Sequence, residues 1–185
     1  MTEGAGPEPA PDRQDLARLF IAVVPPPEVV MAVTALPRPA LPGARYARPE
    51  QTHVTLRFLG NAPIDAAVGA LAAVQAPAPE AVVGPRTMRL GRQVVCLPVS
   101  GLDIVARAVA EATAHVGRPL EMRPFRGHLT VARLARPNAA TWRELLDVPF
   151  EARFPVNEVL LVRSTLARHG ARYDLVATHP LVAGL

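Results

Sequence analysis

The chain has 185 residues, 50% of them hydrophobic but only 4% aromatic, and a formal net charge of +4. That length suits one folded unit burying roughly 70% of its unfolded surface, with Ala, Val and Leu building most of the core. All 20 basic residues are arginines, and the single cysteine, Cys96, excludes an intrachain disulfide and a cysteine metal cage.

Arginine stays charged at physiological pH and forks onto phosphate oxygens, so this composition suits an anionic partner such as a phosphate ester or RNA without requiring one. Residues 1–15 are rich in Pro, Ala and charge, lack periodicity, and read as a disordered tail before a single folded domain over 16–180. The first residues are acidic and proline-rich, so no secretory signal is expected. The apolar stretch 19–24 is far short of a membrane span. A soluble, cytoplasmic monomer without membrane contact is the expectation.

Residues 18–24 predict a central strand, and prolines 25–27 open a helix over 28–36. A short edge strand at 45–48 precedes a strand over 53–60. A helix follows over 64–75, then a hairpin over 81–90 and 93–99. Periodicity predicts the next helix from Leu102, closing at Gly117. A strand over 128–134 comes next, and Asn138 caps a short helix over 139–147. Strands near 154–163 and 171–177 end the chain, with a turn at His169-Gly170. Cys96, in an apolar run, reads as a buried, inert thiol.

The order is strand, helix, strand, helix, hairpin, then helix, strand, helix, hairpin, a loose internal duplication in which the strand between the two helices of each half carries a matched motif. The first is His53-Val54-Thr55-Leu56-Arg57-Phe58-Leu59-Gly60 and the second His128-Leu129-Thr130-Val131-Ala132-Arg133. Strand side chains alternate between faces, so His53, Thr55 and Arg57 share one face opposite Val54, Leu56 and Phe58. With 5 histidines and 10 threonines, two such His-x-Thr pairs arise by chance in roughly 3% of sequences, too rarely to dismiss. The fold class expected is α+β: two pseudo-twofold-related halves of antiparallel sheet, outer helices, and histidine strands side by side at a central cleft.

A metal site needs a third ligand, and neither motif has a carboxylate near its histidine, so no metal or other cofactor is expected. No Gly-x-Ser-x-Gly elbow accompanies the histidines. Two imidazoles suit general acid–base catalysis, one giving and one taking a proton, with threonine hydroxyls and an arginine holding phosphate oxygens.

These residues resemble the 2H phosphoesterase superfamily, and in particular its RNA 2′,3′-cyclic phosphodiesterase branch, the LigT-like proteins or 2′-5′ RNA ligases. Arg18-Leu19-Phe20-Ile21-Ala22 resembles that branch's opening strand. The first His motif and Arg123-Pro124-Phe125-Arg126-Gly127-His128-Leu129-Thr130 resemble its two signatures, and Leu161-Val162-Arg163-Ser164 a late strand. The resemblance implies a bilobal cleft acting on RNA or oligonucleotides with a 2′,3′-cyclic phosphate end. It implies a 2′-phosphomonoester product, with His53 as proton donor and His128 as acceptor that activates water. Thr55 and Thr130 would bind the phosphate, and Arg133 the substrate. Arg133 falls on the wrong face by simple alternation and needs a bulge, a strong twist, or an approach from the strand end. Arg57, with the right parity, is a further substrate-binding candidate.

Gly127 stands where this family commonly has proline, which loosens the strand entry. Tyr46 and Phe125 are aromatics available to stack on a base or to pack at the rim. Alternative readings are a 2H reaction on a small cyclic nucleotide or ADP-ribose cyclic phosphate, or RNA-end binding without turnover.

Overall fold

The computed structural model describes residues 15–167 and 170–182. The expected tail before Asp15, and His169 of the expected last turn, lie outside the described residues. In chain order the elements are β1 (Leu16–Val23), α1 (Pro27–Thr34), β2 (Ala44–Tyr46), a 3-10 turn (Pro49–Gln51), β3 (Val54–Pro63), α2 (Ile64–Ala72), β4 (Glu80–Val83), β5 (Met88–Leu90), β6 (Val94–Ser100), α3 (Asp103–Ala112), β7 (His128–Leu134), α4 (Ala139–Leu145), β8 (Ala152–Pro155), β9 (Glu158–Ala167) and β10 (Gly170–Pro180).

Local chemistry sets several boundaries. Pro26 and Pro27 start α1, where a missing N–H is no loss. Asn138 caps α4, its side-chain oxygen accepting from the Thr141 N–H at 2.9 Å. The strand expected over 81–90 divides around Gly84 and Pro85, since proline offers no N–H to a ladder; β4 and β5 both still pair with β6. The strand expected over 154–163 divides after Pro155 into β8 and β9.

The strands form a ten-stranded sheet in the order β10-β9-β1-β3-β7-β6-β4-β8, with β2 added to β7 and β5 to β6, and the named pairings are antiparallel. The two histidine strands are neighbours, and β3 meets β7 through one residue pair, Val54 opposite Leu129. Val54 follows His53 as Leu129 follows His128, so a pseudo-twofold axis passes through this pair and exchanges the motifs. The strand order around it is symmetric, β3-β1-β9-β10 on one side matching β7-β6-β4-β8 on the other.

This corrects the expected division of the chain. The hairpin after α2 belongs to the second half, and the final hairpin returns to complete the first. The free edge of β1 takes β9, with Phe20 opposite Val162 and Ala22 opposite Leu160.

β1 is buried on both faces, which explains its unbroken apolar run. Leu19, Ile21 and Val23 enter the main core with Leu71 of α2 and Val105 and Val109 of α3. Phe20 and Ala22 enter a smaller cluster on the opposite face with Val162, edged by Phe58, Leu160 and Tyr173. No helix among the described residues is long and apolar enough to cross a membrane.

Candidate active site

One residue to either side of the Val54–Leu129 pair, the antiparallel register sets His53 opposite Thr130 and Thr55 opposite His128. Opposed residues share a face and hold their Cβ atoms about 5 Å apart, so the two motifs form a square of alternating imidazoles and hydroxyls. All four side chains are half-buried.

One device orients both rings. Nδ1 of His53 lies 2.8 Å from the Gln51 carbonyl, and Nδ1 of His128 lies 2.8 Å from the Arg126 carbonyl. A carbonyl only accepts, so Nδ1 donates in each case, and in the neutral ring Nε2 keeps a free lone pair. Each carbonyl sits two residues before its histidine, so the pseudo-twofold extends to single atoms. Gln51 is itself anchored, its side-chain amide donating to the Ala171 carbonyl of β10 at 3.0 Å.

The surroundings of His53 set its protonation. His53 packs against Phe20 and Tyr173, with ring centroids 4.9 and 5.1 Å away. Burial lowers its pKa to about 4; the Gln51 carbonyl opposes that shift, while the positive fields of His128 and Arg133 reinforce it. His53 is therefore neutral at pH 7 in the free protein.

Arg133 reaches this face because β7 carries a bulge. Against β6, Ala132 faces Val95 and Thr130 faces Cys96, leaving Val131 as the extra residue. Val131 and Ala132 are both buried and Arg133 is exposed, so the alternation changes phase there. β3 carries the matching bulge: Arg57 faces Ile21 and Thr55 faces Ala22, leaving Leu56 extra. The cleft-facing counterpart of Arg133 is consequently Phe58.

The same bulge removes Arg57 from the substrate face, correcting the expectation that it binds there. Arg57 is 8% exposed and corresponds to buried Ala132. Its guanidinium donates to the carbonyls of Ala110 at 3.0 Å, Val116 at 3.4 Å and Arg118 at 2.8 Å, tying the end of α3 and the following turn to β3. Arg57→Ala is expected to cost about 2–4 kcal/mol of stability, because three carbonyls lose a charged donor. Urea unfolding measures this, and an unchanged midpoint would count against the anchoring role.

Gly127 does not loosen the strand entry. Its carbonyl accepts from the Val99 N–H at 2.8 Å, and a Cβ at this position would collide with the Val99 carbonyl. Tyr46 donates its hydroxyl to the Pro39 carbonyl at 2.7 Å, and both Tyr46 and Phe125 pack on the main core. Cys96 is buried opposite Thr130, and burial pushes its thiol up to about 11, keeping it protonated.

Two other histidines among the described residues stand apart from this patch. His179 is held by the Val74 carbonyl at 2.8 Å, and His115 is exposed beyond α3. Among the described residues no three His, Cys, Asp or Glu side chains gather as a metal site. Phe20 and Tyr173, which pack on His53, escaped the sequence reading because aromatic residues in apolar strands carry no mark of what they touch.

Known proteins resemble this chain in sequence and in fold. The 2′-5′ RNA ligase superfamily model matches residues 25–168, which hold both histidine motifs. The RNA 2′,3′-cyclic phosphodiesterase of Geobacillus stearothermophilus is 31% identical over 156 residues, covering 77% of this chain and 49% of that protein. The chain thus spans about half the length of that curated relative. A solved structure from Thermus thermophilus superposes with a TM-score of 0.73 at 26% identity, covering 90% of this chain and 98% of the other. E. coli LigT complexed with 3′-AMP superposes with a TM-score of 0.74 at 24% identity, covering 90% and 99%. The α+β cleft fold is thus shared along nearly its whole length. By the match to its family model, the chain belongs to the 2′-5′ RNA ligase superfamily.

Proposed function

We propose that this protein is a metal-independent RNA 2′,3′-cyclic phosphodiesterase that opens cyclic phosphate ends to 2′-phosphomonoesters, acting as a soluble, cytoplasmic, monomeric bilobal domain. The observation that carries this reading is the matched pair of imidazoles, each with Nδ1 held by a carbonyl and Nε2 left for proton transfer.

In the reaction, Nε2 of His128 takes a proton from water as its oxygen attacks phosphorus. The bond from phosphorus to the 3′-oxygen breaks, and Nε2 of His53 protonates that leaving oxygen. Thr55, Thr130 and Arg133 hold the non-bridging oxygens as negative charge builds on them. With a 5′-hydroxyl in place of water, the same groups join a cyclic phosphate end to that hydroxyl as a 2′-5′ linkage: His128 takes the hydroxyl proton and His53 protonates the leaving 3′-oxygen.

His53 must be protonated to act as donor, yet it is neutral in the free protein at pH 7. The substrate supplies the remedy. A phosphate anion about 4 Å away stabilises an imidazolium by about 4 kcal/mol at an effective dielectric of 20, or about three pKa units. That raises the pKa of His53 back toward the neutral pH range and makes protonation accompany binding.

The test is hydrolysis of a 2′,3′-cyclic nucleotide across pH in excess EDTA. A bell-shaped profile untouched by the chelator is expected. Loss of activity in EDTA, with recovery on adding a divalent cation, would contradict the reading.

A further inference from the structure

Beyond the histidine square the cleft face continues into a second charged pocket. Arg18 of β1 sets its guanidinium carbon 4.9 Å from the centre of the Phe58 ring, and Arg118, from the turn after α3, stands 5.6 Å from it. With Asn61 these residues line a cavity of about 490 Å³. Phe58 borders the apolar cluster that contains Phe20, and Phe20 packs on His53. The pocket therefore prolongs the floor of the candidate active site.

Arg118 is held in place from several sides. Its N–H donates to the Leu59 carbonyl at 2.8 Å, and its own carbonyl accepts from Arg57. Gly117 has φ +68°, and a Cβ there would collide with the Leu59 carbonyl. Gly60 has φ +71°, and a Cβ there would come within 3.0 Å of the Arg118 side chain. Only glycine suits both conformations, and together they let the arginine stem lie against β3.

Two guanidinium groups are thus gathered around one ring. Among the described residues neither forms an ion pair. The ring face offsets part of their mutual repulsion, and an anion between them would relieve the rest.

We propose that Arg18 and Arg118 form a subsite for the backbone phosphate next to the cyclic end, making an oligonucleotide a better substrate than a mononucleotide. This rests on the cyclic phosphodiesterase reading above. Arg18 lies two residues before Phe20, about 7 Å along the strand, a step of the order of one nucleotide from the histidines. A phosphodiester fits the chemistry: it is always anionic, only accepts hydrogen bonds, and takes guanidinium groups in bidentate fashion. Arg57, though turned away from the cleft, is then a positioning residue, because it anchors the turn that presents Arg118.

The experiment compares kcat/KM for a 2′,3′-cyclic mononucleotide and a cyclic-ended trinucleotide in the wild type and in the double variant Arg18→Ala, Arg118→Ala. The trinucleotide value should fall about tenfold or more, with a salt dependence shallower by about 0.7 per lost phosphate contact, while the mononucleotide value holds. Equal losses on both substrates, or none on either, would overturn the subsite. Should the wild type open neither substrate, the catalytic reading fails separately. Fluorescence anisotropy with a single-stranded RNA then decides the subsite alone: weaker binding by the double variant supports it, and unchanged binding overturns it.

Discussion

Alanine at His53 or at His128 will lower kcat on a 2′,3′-cyclic phosphate by about 10²–10⁴-fold, the usual contribution of one positioned acid or base. The two losses should not multiply in the double variant, because the groups act on a single proton inventory in one transition state. Both side chains lie at the cleft, outside the main core, so circular dichroism and gel filtration should match the wild type. Either single variant retaining full activity would remove that histidine from the mechanism.

Acidification will destabilise the free protein through His53, whose pKa falls from 6.5 to about 4 on folding. Between those values the unfolded chain binds the proton and the folded one refuses it, so stability rises with pH. The contribution is whole above about 6.5 and is lost progressively as the pH falls to about 4, amounting to up to about 3 kcal/mol. Urea unfolding across this window should show a steeper slope for the wild type than for His53→Gln, which does not titrate. Saturating inorganic phosphate should flatten the wild-type slope, because the anion restores the affinity of His53 for its proton. Equal slopes for wild type and variant would refute a buried, neutral His53.

The histidine square was legible before the structure because alternation and repetition are properties of a strand that sequence records directly. His53 and Thr55 share a face by parity, and the repeated motif at His128 and Thr130 implied two strands meeting as equals. Strand neighbours were harder to read. Nothing local to the final hairpin says that β9 completes the first half beside β1, since that pairing joins residues far apart in the chain.

The arginines show where parity itself fails. Leu56 and Val131 are ordinary strand residues, yet each is the extra residue of a bulge, and neither is the glycine that would signal one. The same shift moves Arg57 into the protein and Arg133 out to the cleft. Arg18, Phe58 and Arg118 come together only through this geometry, and the turn bearing Arg118 reaches β3 from beyond α3. The departure at Gly127 misled for a related reason: the backbone of Val99, distant in sequence, occupies the space a proline ring would need.

The most direct measurement is phosphorus NMR on an oligonucleotide with a 2′,3′-cyclic phosphate end, incubated with the protein in EDTA. The cyclic phosphate signal should give way to a 2′-phosphomonoester, the product expected when His53 protonates the leaving 3′-oxygen. A 3′-phosphomonoester, or binding with the cyclic signal intact, would contradict the paired-histidine account.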